Sequence, residues 1–330
     1  MAGASSQVQT KRAIGKATRD AFGRALEALG GEYPDLVVVD GDVGNSTRTE
    51  WFGQKYPDRF FNIGIAESNL VGVAGGLASS GKISLIASFA AFVTCNAYDQ
   101  LRMSVAYPHL NVKVVGSHAG ISIGEDGASQ MGIEDVSLAC SLPGFVVIVP
   151  ADEESAKAAT KAMLDHKGPV YLRCGRPDVP KVYTSSPAPF TIGKANTLRD
   201  GTDVTIVANG LLVAPALDAA ESLAAEGISA RVLDMHTVKP IDRDALTRAA
   251  RETGALVVAE EHLAHGGLGS VVAMTVAETQ PVPIRYVNLG DQFGESGAPD
   301  ALIEKYGLTA AHVAAAAKAA IAARKGTGGQ

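Results

Sequence analysis

The sequence predicts an α/β fold with two doubly wound domains built on mostly parallel sheets. Short apolar runs such as Leu36–Asp40 and Val204–Ala208 are typical of strands buried on both faces. They alternate with longer helical segments, and this alternation favours parallel sheets covered by helices on both sides. The length of 330 residues is consistent with two domains of roughly 150 residues each.

The first half of the chain begins with a helix predicted at residues 10–29, because Phe22, Leu26 and Leu29 share one face. The helix predicted at 152–165 has acidic residues in its first turn, where the helix dipole favours them. Further helices are predicted at residues 68–80 and 90–106. Apolar runs predict strands at residues 36–40, 83–87, 112–116, 145–149 and 170–173.

Residues 177–203 interrupt this pattern with several prolines and are predicted to form a linker. The alternation then resumes. Strands are predicted at residues 204–208, 229–233, 255–260 and 284–289, and helices at residues 213–226, 243–252, 267–278 and 310–324. We therefore expect one domain at residues 1–190 and a second at residues 191–330.

Composition excludes several classes of function. The net charge is −6 and no block of lysines or arginines occurs, which argues against a nucleic-acid surface. No run of apolar residues is long enough to predict a membrane span, and the N-terminus has no apolar region typical of a secretory signal. The three cysteines form no CxxC pair, so neither a disulfide framework nor a zinc site is predicted. We expect a cytoplasmic protein without a bound metal of its own.

Three segments could carry chemistry. Glu67 lies between an apolar strand and a helix rich in glycine and alanine; alone, such a glutamate is more often a favourable first-turn residue. Phe89 and Phe92 lie at a strand-to-helix junction and could equally be core aromatics. His118 begins a polar, glycine-rich loop that follows the strand at 112–116, where ligands collect in open α/β sheets.

As an ordered set, these segments resemble the transketolase family over nearly the whole chain. The resemblance continues through the GEDG sequence at residues 124–127, through Gly175-Arg176 and through residues 293–297. It implies a thiamine-diphosphate pyrimidine-binding domain followed by a transketolase C-terminal domain. Full-length members carry a preceding diphosphate-binding domain, whose GDG motif and a later asparagine serve the Mg²⁺–diphosphate site. Residues 41–44 are not that motif, because they follow the first strand. The resemblance is therefore to the C-terminal section of a split, two-subunit transketolase.

The resemblance implies cofactor-binding roles for Glu67, Phe89, Phe92 and Asp42. Glu67 matches the glutamate that hydrogen-bonds the aminopyrimidine ring of thiamine diphosphate and activates it, and it is one of the expected catalytic residues. Phe89 and Phe92 match aromatics that pack on that ring. The resemblance further implies that the cofactor is shared with a partner subunit and that Mg²⁺ is bound mainly by that partner.

The resemblance implies substrate-binding roles for four residues that match those binding the sugar phosphate in the family: Arg19, Ser46, His118 and Arg176. Two guanidinium groups, a hydroxyl and an imidazole suit such a dianion. Asp126 matches a residue that bonds a sugar hydroxyl, and His118 is also expected to be catalytic.

Gln130 departs from the family, which usually has a histidine near the reacting carbons of the donor ketose. A glutamine can hydrogen-bond there but cannot accept a full proton. Either a histidine of the partner carries the proton transfer, or the substrate differs from the usual ketose phosphates. Gln130 is nevertheless expected to be part of the catalytic site.

The resemblance implies transfer of a two-carbon ketol unit between sugars, which are expected to be phosphorylated. The implied partner is an N-terminal, diphosphate-binding subunit, in a heterotetramer with a homodimer of this chain at its centre. Two alternatives remain: the β subunit of a 2-oxoacid dehydrogenase E1, which would need no phosphate grip, and a regulatory subunit without catalysis. The sequence does not identify the donor and acceptor sugars.

Overall fold

The computed structural model describes residues 12–327, and side chains as far as residue 324. The strands are β1 Leu36–Asp40, β2 Phe60–Asn62, β3 Ile83–Phe89, β4 Val112–Ser117, β5 Val146–Ile148, β6 Val170–Arg173, β7 Asn196–Arg199, β8 Val204–Ala208, β9 Ala230–Asp234, β10 Thr237–Lys239, β11 Leu256–Ala259 and β12 Ile284–Val287. The α-helices are α1 Thr18–Leu29, α2 Gly44–Thr47, α3 Thr49–Lys55, α4 Glu67–Ser79, α5 Ala90–Cys95, α6 Tyr98–Gln100, α7 Asp135–Ser141, α8 Glu153–Asp165, α9 Val213–Ala225, α10 Arg243–Thr253, α11 Leu268–Thr279, α12 Pro299–Lys305 and α13 Ala310–Thr327.

The strands form two mostly parallel sheets, so the predicted α/β class is confirmed. The first sheet has the strand order β10-β5-β6-β4-β3-β1-β2, and the second has the order β12-β11-β8-β9-β7. Within the described residues, the antiparallel pairs are β10 with β5 and β7 with β9. The central strands β1, β4 and β8 are buried along their whole length, which explains why most of their residues are apolar.

The core continues from one sheet to the other. One apolar cluster contains side chains from both halves of the chain, such as Val147 of β5 and Val238 of β10. Strand β10 belongs to the second half of the sequence but pairs with β5 in the first sheet. The domain boundary at residue 190 therefore stays a prediction. The apolar core and the first sheet both contain residues from each side of it.

Two predicted elements at the start and middle of the chain were wrong in extent. The helix predicted at residues 10–29 begins at Thr18; residues 10 and 11 lie outside the described range. The segment before it is extended, because Gly15 donates its N–H to Val179 O at 2.8 Å and Lys181 donates to Ala13 O at 2.8 Å. The predicted linker at 177–203 contains β7, which pairs with β9.

The helix predicted at residues 90–106 is broken into three parts. The α-helix α5 ends at Cys95, α6 follows, and residues Leu101–Ala106 form a π-helical turn. The break lies near the carbonyl of Asn96, which accepts a hydrogen bond of 2.8 Å from the Ser68 hydroxyl. This bond ties α5 to the start of α4, the helix that begins with Glu67.

Candidate active site

The candidate site lies beyond the carboxyl ends of neighbouring strands. β1, β3, β4 and β6 are adjacent and parallel, so the loops that follow them emerge at one edge of the sheet. Those loops contain most of the residues selected from the sequence. This edge is where ligands bind in open α/β sheets.

Asp40, the last residue of β1, fixes the loop that contains Asp42 and Ser46. Its buried carboxylate accepts hydrogen bonds from the Val43 N–H at 2.7 Å, the Thr47 hydroxyl at 3.0 Å and the Thr49 hydroxyl at 2.6 Å. Burial raises the pKa of Asp40. Asp40 was not among the predicted site residues, although a carboxylate at a strand end followed by threonines is a recognisable signal.

Glu67 is the first residue of α4, and its side chain is buried. Its Oε1 accepts a hydrogen bond of 3.1 Å from the hydroxyl of Ser88, near the end of β3. Its Oε2 has no hydrogen-bond partner among the residues that the structure describes. The carboxyl group therefore has one oxygen fixed by the protein and one available, which fits a residue that hydrogen-bonds a ring of a bound cofactor.

Asp42 lies on the same side of the site. It adopts a left-handed backbone conformation, with φ at 65°. Its carboxylate accepts a hydrogen bond of 2.7 Å from the Asn62 amide, and Asn62 Oδ1 accepts one of 2.8 Å from the Gly64 N–H. These bonds connect the loop after β1 to the segment leading into Glu67.

Three rings stack at the end of β3. The rings of Phe89 and Phe92 have centroids 5.9 Å apart and are nearly parallel, with an angle of 7°. The ring of His118 stacks on Phe89 with a centroid distance of 4.1 Å. The aromatics predicted to pack on a cofactor ring thus adjoin the histidine predicted to contact the substrate.

His118 is buried and makes one hydrogen bond with each ring nitrogen. Nε2 lies 2.9 Å from Nη1 of Arg19, and Nδ1 lies 2.8 Å from the Ser117 hydroxyl. Burial, and then the charges of Arg19, Arg176 and Arg48, lower the pKa of His118 to about 3. Arg19 Nη1 also donates to the Ser46 carbonyl at 3.1 Å. The structure therefore brings Arg19, Ser46 and His118 together.

Arg176 follows β6 and holds the GEDG loop. Its Nη1 donates to Ile123 O at 2.9 Å and to Asp126 Oδ1 at 3.3 Å. Both side chains are more than one-third exposed. Arg176 and Asp126 thus lie beside each other at the open side of the site, close enough for Arg176 to influence Arg19 electrostatically.

Gln130 lies at the end of the same loop, in a short 3-10 turn at Ala128–Gln130. Its side chain makes no hydrogen bond to the described residues. The following residue, Met131, is buried against Gly294, where an added Cβ would collide with the methionine sulfur. Residues 293–297, which are part of the family resemblance, therefore pack directly against the loop that carries Asp126 and Gln130.

A buried polar network supports this loop and was not anticipated from the sequence. The Arg173 guanidinium donates through Nε to Asp135 at 2.8 Å, and its Nη2 donates to the carbonyls of Gly132 and Glu261. The Glu261 carboxylate accepts from the Ser122 N–H at 2.7 Å. No sequence spacing could predict contacts between residues so far apart. Among the described residues, no cluster of three or more His, Cys, Asp or Glu side chains could hold a metal ion.

Family comparison agrees with this architecture. Residues 15–181 match the family model for the transketolase pyrimidine-binding domain, and residues 193–313 match the model for the transketolase C-terminal domain. The chain therefore belongs to the transketolase family. Membership of this family implies dependence on thiamine diphosphate.

Individual relatives include chains of the same size. The chain is 46% identical over 282 residues to the 6-deoxy-6-sulfo-D-fructose transketolase subunit SqwH from Clostridium sp. strain MSTE9, covering 86% of this chain and 87% of the relative. It is 42% identical over 301 residues to a putative transketolase C-terminal section from Methanocaldococcus jannaschii, covering 91% and 94%. A solved structure described as a split gene transketolase, inactive beta4 tetramer, has 48% identity and a TM-score of 0.86, covering 94% and 99%.

These similarities identify the particular kind of family member. The chain is the C-terminal subunit of a split transketolase, a transferase that moves a two-carbon ketol unit.

Proposed function

We propose that this subunit completes an active site together with an N-terminal, diphosphate-binding subunit. The support comes from relatives of similar length that are named as a subunit or a C-terminal section. The similar split gene transketolase of known structure is described as an inactive tetramer of β chains. We propose a heterotetramer with two copies of this chain at its centre, and Mg²⁺ bound mainly by the partner.

Thiamine diphosphate supplies the carbanion chemistry when it is bound. In the proposed site, the buried Glu67 hydrogen-bonds its aminopyrimidine ring through the free Oε2, while Ser88 fixes Oε1. Phe89 and Phe92 provide the apolar surface against the ring, and Asp42 supports the segment before Glu67 through Asn62. The single observation that carries this assignment is the buried carboxyl with one unpaired oxygen at the carboxyl edge of the sheet.

For the substrate, we propose a ketose with a strong anion at the end remote from the reacting carbons. Arg19, Ser46, His118 and Arg176 surround that end, and Asp126 accepts a hydrogen bond from a sugar hydroxyl. Arg19 and Arg176 provide positive charge, and their contacts to backbone carbonyls fix their orientation. The anion is a phosphate or a sulfonate, since one relative is named for 6-deoxy-6-sulfo-D-fructose.

The alternatives receive no support from these relatives, which are transketolase subunits or sections and not oxoacid dehydrogenases. Catalysis is favoured over a purely regulatory role because Glu67 is present, buried and held, among the described residues, by Ser88 through Oε1 alone. Among residues 12–327, no helix is long and apolar enough to cross a membrane. We propose a cytoplasmic location, which the free thiols of Cys95, Cys140 and Cys174 fit.

The decisive experiment is reconstitution with candidate diphosphate-domain subunits. Complex formation is measured by gel filtration, and turnover is measured with ketose phosphates, 6-deoxy-6-sulfofructose and hydroxypyruvate as donors. We expect ketol transfer only from the complex with thiamine diphosphate and Mg²⁺. Calorimetry on this chain alone should show cofactor binding weaker than micromolar. Turnover by the chain alone, or a complex that decarboxylates pyruvate but transfers no ketol unit, would contradict the proposal.

A further inference from the structure

Arg48 occupies a strained position between α2 and α3, beside the proposed anion site. Its backbone has φ at 68°, a left-handed conformation that glycine adopts without steric cost. α1 accommodates the side chain at Gly23, where an added Cβ would collide with the Cβ of Arg48. A residue with a side chain therefore occupies position 48 although glycine would relieve the backbone strain, and Gly23 leaves room for its Cβ.

Arg48 and Arg19 are held by the same short segment and the same carboxylate. Arg48 Nη1 donates to Asn45 O, and Arg19 Nη1 donates to the next carbonyl, Ser46 O. Arg48 Nε lies 2.6 Å from Asp20 Oδ1, and Arg19 Nε lies 3.8 Å from the same oxygen. Two guanidinium groups therefore flank Ser46 and share Asp20 as their counter-ion.

This pair of arginines retains unused hydrogen-bond donors. The buried Nε of Arg19 has no hydrogen-bond partner, since Asp20 is too distant for one. The Nη2 groups of Arg19 and Arg48 also have no partner among the residues that the structure describes. Burial and then the charge of the nearby Arg48 lower the pKa of Arg19. A ligand with several acceptor oxygens and negative charge would satisfy these donors.

We propose that Arg48 is a third arginine of the anion site and determines specificity for substrates with a terminal phosphate or sulfonate. The sequence analysis did not select it. The inference rests on the proposed function for the identity of the substrate, but binding of a simple anion can be measured independently. Arg48 acts on the anion directly through Nη2 and shares the counter-ion Asp20 with Arg19.

The chain contains its own reporter for this site. Trp51 is the only tryptophan in the sequence. The Arg48 guanidinium lies 5.5 Å from the centre of its ring, and that of Arg24 lies 3.9 Å away. Anion binding at Arg48 should therefore change the fluorescence of Trp51. Arg24 provides a matched control, because it contacts the same ring but is mostly exposed and paired with Glu27.

The first experiment titrates the full chain with sodium sulfate, inorganic phosphate, methyl phosphate and methanesulfonate while Trp51 fluorescence is recorded. We expect Arg48→Met to weaken anion binding about ten- to hundredfold, Arg48→Lys to restore part of it, and Arg24→Met to leave it unchanged. Asp20→Asn should tighten binding, because it removes the counter-ion. Isothermal calorimetry gives the same affinities without relying on the Trp51 signal.

The second experiment measures KM and kcat of the reconstituted complex. Arg48→Met should raise KM for a phosphorylated or sulfonated donor at least tenfold more than for the uncharged sugar analogue. The inference would be overturned if Arg48→Met had unaltered anion affinity, or if it raised KM equally for charged and uncharged donors. Arg48 would then have only a structural role. If no donor is turned over by the wild-type complex, the proposed function fails, whereas the anion titration still decides the role of Arg48.

Discussion

Nε2 of His118 lies 2.9 Å from Nη1 of Arg19, and this contact defines the protonation state of the histidine. A guanidinium group can only donate hydrogen bonds, so Nε2 must be the acceptor. The proton of the neutral ring is then on Nδ1, which donates to the Ser117 hydroxyl at 2.8 Å. Nε2 of a neutral His118 in this tautomer can only accept, so it donates to a substrate only after the ring changes tautomer or gains a proton.

This arrangement predicts a loss of stability in mild acid. The pKa of His118 is lowered from 6.5 to about 3 in the folded protein, so between these values the unfolded chain binds more protons. The free energy of unfolding must therefore fall as the pH decreases through that window, by about 2 kcal/mol between pH 7 and pH 5 from this residue. His118→Asn keeps an acceptor for Arg19 and should remove that part of the pH dependence in urea unfolding.

The control for this prediction is His265→Asn, which changes an exposed histidine. It should retain the full dependence on pH. Burial also lowers the pKa of His236 to about 4, so His118→Asn should reduce the acid sensitivity without abolishing it. The same pH dependence in His118→Asn and wild type would show that His118 is not the neutral, buried group described here.

Glu67→Gln should abolish activity of the reconstituted complex while the subunit remains folded. An amide fills the same buried space and can still accept from the Ser88 hydroxyl, but it cannot offer an acidic proton to the aminopyrimidine ring. The measurement is the exchange rate of the thiazolium C2 proton of the bound cofactor, together with the unfolding temperature. The exposed Glu32 supplies the matched control Glu32→Gln, which should exchange like wild type. Exchange at the wild-type rate in Glu67→Gln would remove Glu67 from cofactor activation.

Arg176→Ala should weaken anionic donors selectively. Loss of one charge-assisted contact costs on the order of 1.5–3 kcal/mol, which corresponds to about one to two decades in KM. Arg176 also donates hydrogen bonds to Ile123 O and Asp126, so its removal could act through the loop as well as through the phosphate. Asp126→Asn keeps the shape of the loop but removes its charge, and so tests whether the effect of Arg176 passes through Asp126. If Arg176→Ala raises KM equally for fructose 6-phosphate and fructose, Arg176 does not bind the phosphate.

The sequence predicted the central strands well because each carries its own signal. β1, β4, β6 and β8 are buried on both faces, and their mostly apolar sequences follow from that burial. β2 and β7 are half-exposed edge strands and lack such a run, so they were missed. β10 was missed because its pairing with β5 joins residues about ninety positions apart, a relationship no local pattern encodes.

Some residues of the candidate site could likewise be located from the sequence, and others could not. Residues in loops directly after predicted strands, such as His118 and Arg176, could be placed at one edge of the sheet from topology alone. Arg48 and Arg173 could not, because their importance arises from contacts with α1 and with distant loops.

Gln130→His tests whether the glutamine determines the choice of donor. Gln130 ends the loop that Met131 and Gly294 hold in place, and its amide makes no hydrogen bond to the described residues, so it is available to a substrate. A histidine there could act as a base or carry charge near neutral pH, whereas a glutamine can do neither. Since the contacts of Arg19, His118 and Arg176 at the anion end are intact, we expect a change at the opposite end of the substrate only.

The expected result is therefore a changed ranking of donors with an unchanged preference for a terminal anion. The measurement is kcat/KM for ketose phosphates, 6-deoxy-6-sulfofructose, hydroxypyruvate and pyruvate, with wild type and Gln130→His in the cognate complex. Gln130→Asn is the control, because it retains a neutral amide of shorter reach and cannot titrate. A ranking that is identical in wild type and Gln130→His would show that Gln130 does not set the donor. A shift that also appears in Gln130→Asn would assign the effect to the reach of the side chain and not to its ability to bind a proton.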